Sequence, residues 1–329
     1  MVSDMKIVLW GKKLHTDTYS YIQYGYYRAA DYLGHTVEWY GDEDDVSDVD
    51  FSNSIFLTEA SACEKMPLRK DCKYFIHCSD KAFKYDWRKK YGDVEVYNFI
   101  PESYGYTWPD NLERIDNEIW YHEDSKTIIT KWASDLLPPE IDDCPVQLYD
   151  DSLDTSYFIG TLQGSNINTF GDIHRAHGKN LACGGGWQGI YVNQVPDMNQ
   201  TIEMVRNSYL SFDIREDIHF KMKKYYPCRV FKNISYGKWT GCNMPSIGDL
   251  IGDYATLEDD LEIFYDKLVE DTKNCTEKKM RDAMNFVRDN HTYINRLTVS
   301  YTHLRAHETR EDLLCPRLHE KKNGGGGGG

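Results

Sequence analysis

The segment from Tyr225 to Asn243, YYPCRVFKNISYGKWTGCN, carries the residues best suited to binding an anion. Pro227 predicts a helix over Pro227–Tyr236, because proline is favoured in the first helical turn. The first N–H groups of a helix lack intrahelical partners and lie at the positive end of its dipole. Arg229 in that first turn can donate two parallel hydrogen bonds to a diphosphate, and Lys232 can add a point charge. The pattern predicts an anion-binding helix, although an ordinary amphipathic helix with a solvated arginine fits it equally well.

The overall composition disfavours several classes of protein. Asp and Glu number 53 against 38 Lys and Arg, so the formal net charge of the 329 residues is -15. Such an acidic chain is poorly suited to nucleic-acid backbones and to anionic membrane surfaces. No apolar run approaches the roughly 20 residues that span a bilayer, and the N-terminus lacks the apolar core of a signal peptide. The nine cysteines are scattered without a CxxC pair. We therefore expect a cytoplasmic protein with no nucleic-acid partner, no transmembrane segment, no metal site and no bound cofactor.

Short apolar segments alternate along the chain with segments of helical periodicity, which predicts an α/β protein with parallel sheets covered by helices. Strands are predicted at Lys6–Trp10, Thr36–Tyr40, Ser54–Leu57, Tyr74–His77, Val94–Phe99, Thr127–Thr130, Ser156–Leu162, Leu181–Cys183, Leu210–Asp213 and Lys238–Cys242. Helices are predicted at Ile22–Leu33, Lys81–Tyr91, Thr169–Lys179, Thr201–Asn207 and Pro227–Tyr236. Two more are expected after the N-terminal caps Thr256 and Thr276.

The alternation stops once and then restarts, which predicts two domains of similar size. Prolines and aspartates are concentrated between Pro138 and Asp154, as is typical of a linker. We expect a first domain over residues 1–142, a linker over 143–155 and a second domain over 156–298.

The last residues, 299–329, stand apart from both predicted domains. Val299–Thr309 resembles the translation of a sequencing adapter, and the chain ends in six glycines. We expect this segment to be an artefactual tail without order of its own, and exclude it from the fold.

Several segments, taken in order, resemble glycosyltransferases of the GT-B fold, and most closely the spore-maturation-protein-like branch. The order Arg229-Val-Phe231-Lys232, with Gly237 five residues later, is similar to the donor-binding helix of that branch. The other matching segments are Ala30–His35 (ADYLGH), Trp132–Leu137 (WASDLL), Tyr157–Thr161 (YFIGT) and Tyr209–Asp213 (YLSFD). The resemblance spans about residues 5 to 297. It implies two Rossmann-like domains facing across a cleft, with the final helix crossing back toward the first domain.

The resemblance also implies where a nucleotide-diphosphate sugar, as co-substrate, would bind. The donor-binding residues would be Gly160, Thr161, Arg229, Phe231, Lys232, Asn233, Ser235 and Gly237. Many related enzymes carry a glutamate at position 232, where it holds the donor ribose. A lysine cannot accept ribose hydroxyl protons, so its expected role here is phosphate binding, while Asn233 and Ser235 can offer neutral hydrogen bonds.

An inverting transfer would also need a base for the acceptor hydroxyl. His15 and Asp17 follow the first strand, where sites of α/β proteins form, and Asp135 and Asp80 lie in later strand-end loops. The expected function is transfer of a sugar to a glycan, lipid or protein hydroxyl without a metal. The substitution at Lys232 leaves a sugar-nucleotide epimerase open, and a non-catalytic nucleotide-binding or glycan-binding module remains a further alternative.

Overall fold

The computed structural model describes residues 6–14, 18–59, 63–77, 94–100, 111–116, 119–160, 164–184, 197–220 and 226–298. Its strands are β1 (Lys6–Trp10), β2 (Thr36–Tyr40), β3 (Ile55–Glu59), β4 (Lys73–His77), β5 (Glu95–Ile100), β6 (Glu113–Asp116), β7 (Ile119–His122), β8 (Thr127–Ile129), β9 (Thr155–Ile159), β10 (Asn180–Gly184), β11 (Ser211–Asp213), β12 (Thr240–Cys242) and β13 (Thr256–Leu257). Its helices are α1 (Thr18–Tyr32), α2 (Pro138–Asp143), α3 (Ser165–Ala176), α4 (Met198–Arg206), α5 (Asp217–Phe220), α6 (Cys228–Ser235), α7 (Gly248–Ile251), α8 (Leu261–Asn274) and α9 (Glu277–Asn290).

Strands β1 to β8 form one sheet in the order β2-β1-β3-β4-β5-β8-β7-β6. We call this sheet and the helices packed on it the first lobe. The six strands from β2 to β8 in that order are parallel to one another. At one edge, β7 pairs antiparallel with β8, and β6 pairs antiparallel with β7. In β1, Val8 and Leu9 are both fully buried although they point to opposite faces. Burial on both faces is expected of a parallel sheet, and it explains why these strands read as continuous apolar runs.

Strands β9 to β13 form the second lobe, which contains two parallel sheets, β10-β9 and β11-β12-β13. Serine side chains help to join β9 to the residues that precede β11. Ser156 Oγ accepts a hydrogen bond from the Leu210 amide, and Ser208 Oγ accepts one from the Tyr157 amide, both at 2.9 Å. Among the described strands, none of the second lobe joins the sheet of the first.

After α9 the chain returns to the first lobe. The Ser134 amide donates to the His291 carbonyl at 2.8 Å. Tyr293 then packs on Tyr26, with ring centroids 4.9 Å apart. Gly25 permits this contact, because a Cβ there would lie 2.3 Å from the Tyr293 ring. The family resemblance implies that the final helix crosses back, whereas in the structure the residues after α9 make these contacts and join the two lobes.

Most of the predicted strands that the structure describes match within two or three residues, but several features differ, including helices α2, α5 and α7, which were not predicted. Thr256 does not begin a helix; it lies in β13, and Asp260 caps α8 by accepting from the Glu262 and Ile263 amides. Pro227 precedes α6 as its N-terminal cap instead of lying inside it. The antiparallel pair of strands β6 and β7 was not predicted. The predicted helix Lys81–Tyr91 and the tail 299–329 lie outside the described residues.

Candidate functional site

Arg229, in the first turn of α6, is held at the carboxyl end of β9. Its Nε and Nη2 donate to the Ile159 carbonyl at 3.0 and 2.9 Å. Its guanidinium carbon lies 4.0 Å from the centroid of the Phe158 ring, a cation–π distance. Nη1 donates to Oδ1 of Asp213. The side chain is 16% exposed, so Arg229 is a fixed and largely desolvated cation instead of a mobile surface arginine.

Gly160 makes room for this arginine. Its φ of +155° is disfavoured for residues with a side chain, and a Cβ at this position would lie 2.1 Å from Arg229 Nη2. A glycine at position 160 is thus explained by the guanidinium packed against it.

Asp213, the last residue of β11, joins two arginines. Its side chain is fully buried. Oδ2 accepts from Arg215 Nε at 2.6 Å, and Oδ1 accepts from Arg215 Nη2 at 3.1 Å as well as from Arg229. A buried carboxylate must be compensated by hydrogen bonds and opposite charge, and here two guanidinium groups supply both.

Lys232, one turn further along α6, contacts the first lobe. Its Nζ lies 2.7 Å from Oδ2 of Asp135, and the Tyr236 hydroxyl donates to Oδ1 at 2.8 Å. Burial would raise the pKa of Asp135, but the Lys232 ammonium and the Tyr236 hydroxyl outweigh it, and the pKa lies below its ordinary value. Burial would likewise lower the pKa of Lys232, but Asp135 raises it above its ordinary value. The pair is therefore charged at neutral pH, which makes Asp135 a weak base.

The other residues expected on α6 are part of the core. Phe231 is fully buried and stacks on His291 with centroids 4.5 Å apart. Asn233 donates to Thr240 Oγ1 at 3.1 Å, and the buried Ser235 hydroxyl accepts from Ser134 at 2.7 Å. The prediction that Asn233 and Ser235 offer hydrogen bonds to a ligand is thus corrected, because both face the protein interior.

Gly237 ends α6 with a φ of +81°, and its backbone approaches the segment before β9. A Cβ there would lie 2.3 Å from the Pro145 carbonyl oxygen. Its own carbonyl accepts from the Gln147 amide at 2.8 Å. Gly237 is therefore explained by this close backbone approach.

His15, Asp17, Thr161 and Asp80 lie outside the described residues, so their predicted roles remain predictions. The structure adds two residues that the sequence reading did not single out, Asp213 and Arg215. The only available signal was their position, since Asp213 ends a predicted strand and the carboxyl ends of parallel strands form sites in α/β proteins.

Comparisons with known proteins identify the fold. An α-glucosyltransferase solved in complex with UDP and a 13-mer DNA containing a HMU base superposes with a TM-score of 0.56 at 10% identity, over 90% of this chain and 99% of that chain. An α-glucosyltransferase (AGT) in complex with UDP gives a TM-score of 0.51 at 10% identity, over 87% and 95%. The chain has the GT-B fold of these glycosyltransferases, which confirms the predicted fold class. No protein-family model and no curated protein sequence matches the chain.

Two further observations concern the described part of the chain. It contains no helix with the length and apolar character needed to cross a bilayer. It also contains no cluster of three His, Cys, Asp or Glu side chains placed to hold a metal ion.

Proposed function

We propose that the protein is a glycosyltransferase that moves a sugar from a nucleoside-diphosphate sugar to an acceptor hydroxyl. The observation that carries the proposal is the fixed Arg229, which lies at the carboxyl ends of β9 and β11 in a GT-B fold. Cations held in advance at the leaving diphosphate stabilise charge that develops during transfer, and such electrostatic stabilisation is often the largest contribution to catalysis. The UDP bound by the structural neighbours makes UDP the first nucleotide to test.

The proposed donor site uses protein cations in place of a metal ion. Arg229 and Arg215 supply positive charge, and the N-terminus of α6 adds the partial charge of its N–H groups. Lys232 forms an ion pair with Asp135. In this proposal it therefore holds the two lobes together and does not contact phosphate.

The base of the reaction remains a prediction, with His15 and its neighbour Asp17 preferred. Asp135 is less suited to the role because its carboxylate is paired with Lys232 and hydrogen-bonded to Tyr236. A base must accept a proton readily at the working pH, and these partners oppose protonation.

The acceptor is proposed to be a glycan, lipid or protein hydroxyl. One structural neighbour was solved with DNA, but a net charge of -15 opposes binding to a phosphate backbone. Duplex DNA containing a hydroxymethylated base is therefore included in the acceptor panel. Transfer of the sugar to this DNA would contradict the proposed acceptor class.

The test measures binding first and turnover second. Melting temperature is recorded with UDP, GDP, ADP, CDP and dTDP, because a ligand that binds only the folded state raises it. The matching nucleotide sugars are then incubated with an acceptor panel, and released diphosphate and new products are identified by mass spectrometry. Transfer to an acceptor supports the proposal. Isomerisation of the donor alone would instead indicate an epimerase, and binding without turnover would indicate a binding module.

A further inference from the structure

We propose that Asp213 is a positioning residue that holds the guanidinium groups of Arg215 and Arg229 together as a two-arginine clamp for a diphosphate. The inference rests on the proposed function and deepens it. It assigns a role to a fully buried carboxylate, and it adds Arg215 to the donor site.

The hydrogen bonds of Asp213 define the clamp. Arg215 binds the carboxylate through two nitrogens, Nε to Oδ2 at 2.6 Å and Nη2 to Oδ1 at 3.1 Å. Arg229 Nη1 donates to the same Oδ1. One carboxylate oxygen thus accepts from both guanidinium groups, which brings two cations within hydrogen-bonding reach of a single atom.

Electrostatics makes the carboxylate necessary for this arrangement. Two guanidinium groups at such a separation repel each other, and the repulsion is strong where water is largely excluded. Asp213 offsets the repulsion while leaving the group of three with a net positive charge. A diphosphate carries its negative charge on two adjacent phosphoryl groups, so it complements a pair of neighbouring arginines better than a single one.

The backbone around Arg215 is held equally firmly. The Arg215 amide donates to Asn243 Oδ1 at 2.7 Å, and Asn243 Nδ2 donates back to the Arg215 carbonyl at 2.8 Å. The Asn243 side chain therefore fixes the peptide groups on both sides of Arg215, while Asp213 fixes its guanidinium. Both arginine side chains are still 16% exposed, so the edge of the clamp reaches the surface.

A competing anion site nearby is already filled. Helix α3 is the first described helix after β9, but the Ser165 and Asn166 amides at its N-terminus donate to the Glu216 carboxylate, both at 3.0 Å. Gly164 permits this contact, because a Cβ there would lie 1.9 Å from the Glu216 carboxyl carbon. With α3 capped by the protein's own carboxylate, the arginine pair is the better-suited diphosphate site at the carboxyl ends of β9 and β11.

The experiment is calorimetry with UDP and with inorganic pyrophosphate, run well below the melting temperature of each variant. The variants are Asp213→Asn, Arg229→Ala and the double variant. Asp271→Asn is the control, because it removes a carboxylate of the same lobe that bonds the Thr256 hydroxyl at 2.7 Å.

We expect Asp213→Asn to weaken binding of both probes about ten-fold, although it makes the site more positive. The loss should be several-fold smaller in the Arg229→Ala background, because a positioning residue acts through the residue it positions. Asp271→Asn should bind as wild type does. Unchanged or tighter binding by Asp213→Asn, or an equal loss in both backgrounds, would overturn the clamp.

Arg215→Lys keeps the proposal testable if Asp213→Asn fails to fold. It retains the charge but cannot form the two-nitrogen contact with Asp213, so binding should fall several-fold. Wild-type affinity in Arg215→Lys would count against the clamp. If Arg229→Ala loses affinity while these variants do not, only the clamp fails. If wild type binds no nucleoside diphosphate of the panel, the proposed function fails with it.

Discussion

Lys232 Nζ lies 2.7 Å from Oδ2 of Asp135, and this contact joins helix α6 of the second lobe to the segment after β8 of the first. Enzymes that this chain resembles often carry a glutamate at the position of Lys232. A glutamate here would instead bring two carboxylates together beside the Tyr236 hydroxyl. The lysine is thus explained by its partner on the other lobe, a contact that the spacing along α6 does not reveal.

Substitution of Lys232 should therefore reduce the stability of the fold. The loss should be larger for a negatively charged side chain beside Asp135 than for a neutral one. Lys232→Met leaves the carboxylate with Tyr236 and should cost about 1–3 kcal/mol of unfolding free energy, the usual cost of an under-compensated buried group. Lys232→Glu adds repulsion and should cost more. Urea unfolding at neutral pH measures both.

Two controls accompany this prediction. Lys278→Glu changes a lysine whose side chain is 86% exposed and should change the unfolding free energy far less than either Lys232 variant does. Asp135→Asn combined with Lys232→Glu should recover much of the lost stability. If the double variant recovers no stability, the loss in Lys232→Glu does not arise from its contact with Asp135.

Gly160→Ala should weaken UDP binding by displacing Arg229. The new Cβ would lie 2.1 Å from Arg229 Nη2, so the guanidinium must move, and we expect a loss of about ten-fold in affinity. Gly178→Ala is the matched control. Gly178 has a φ of +73° with open space around a Cβ, so it tests backbone strain without a clash. Each variant is titrated with UDP in a calorimeter. If Gly160→Ala and Gly178→Ala bind UDP equally well, the position of Arg229 does not matter for diphosphate binding.

The sequence predicts the parts of this site that depend on local patterns. Helix α6, its arginine and the glycine turn after β9 follow from residues close together in the chain. The Asp213–Arg229 contact does not, because it joins two elements through a side chain whose direction depends on tertiary packing. For the same reason the sequence predicts that Asn233 and Ser235 offer hydrogen bonds to a ligand, because their partners Thr240 and Ser134 lie outside α6.

The same distinction holds for the fold. Strands such as Lys6–Trp10 were predicted at their observed bounds, because a strand buried on both faces is a continuous apolar run. Threonine favours the N-terminal cap of a helix, so the sequence predicts a helix that begins after Thr256. In the structure Thr256 instead lies in β13, paired with Gly241 of β12, and its hydroxyl accepts from the Trp239 indole and donates to Asp271.

Acid should destabilise the protein partly through His174. This imidazole is fully buried against Phe170 and Tyr265, and burial lowers its pKa to about 4. The unfolded chain binds the proton near pH 6.5, so the neutral side chain's contribution is complete above about pH 6.5 and is lost as pH falls toward 4, by about 3 kcal/mol.

The measurement isolates this contribution by comparing variants across pH. The unfolding free energy of His174→Leu relative to wild type should rise by about 3 kcal/mol between about pH 8 and pH 4. His177→Gln, at a side chain 51% exposed, serves as the control. A constant difference between His174→Leu and wild type would mean that His174 is not protonated on unfolding.

Arg296 should contribute far more to stability than a surface arginine. It is 2% exposed, and its guanidinium donates to the Lys131 carbonyl at 3.1 Å, the Asn290 carbonyl at 2.9 Å and His291 Nδ1 at 3.0 Å. Arg296→Met retains an unbranched apolar side chain but leaves these acceptors without their donor, at an expected cost of about 3 kcal/mol. Arg288→Met is the matched control, because its partners Asp142 and Asp289 are more than half exposed, and it should cost about 0–1 kcal/mol. Urea unfolding of both variants measures the difference, and equal losses would show that the buried hydrogen bonds of Arg296 add no more stability than the exposed ion pairs of Arg288.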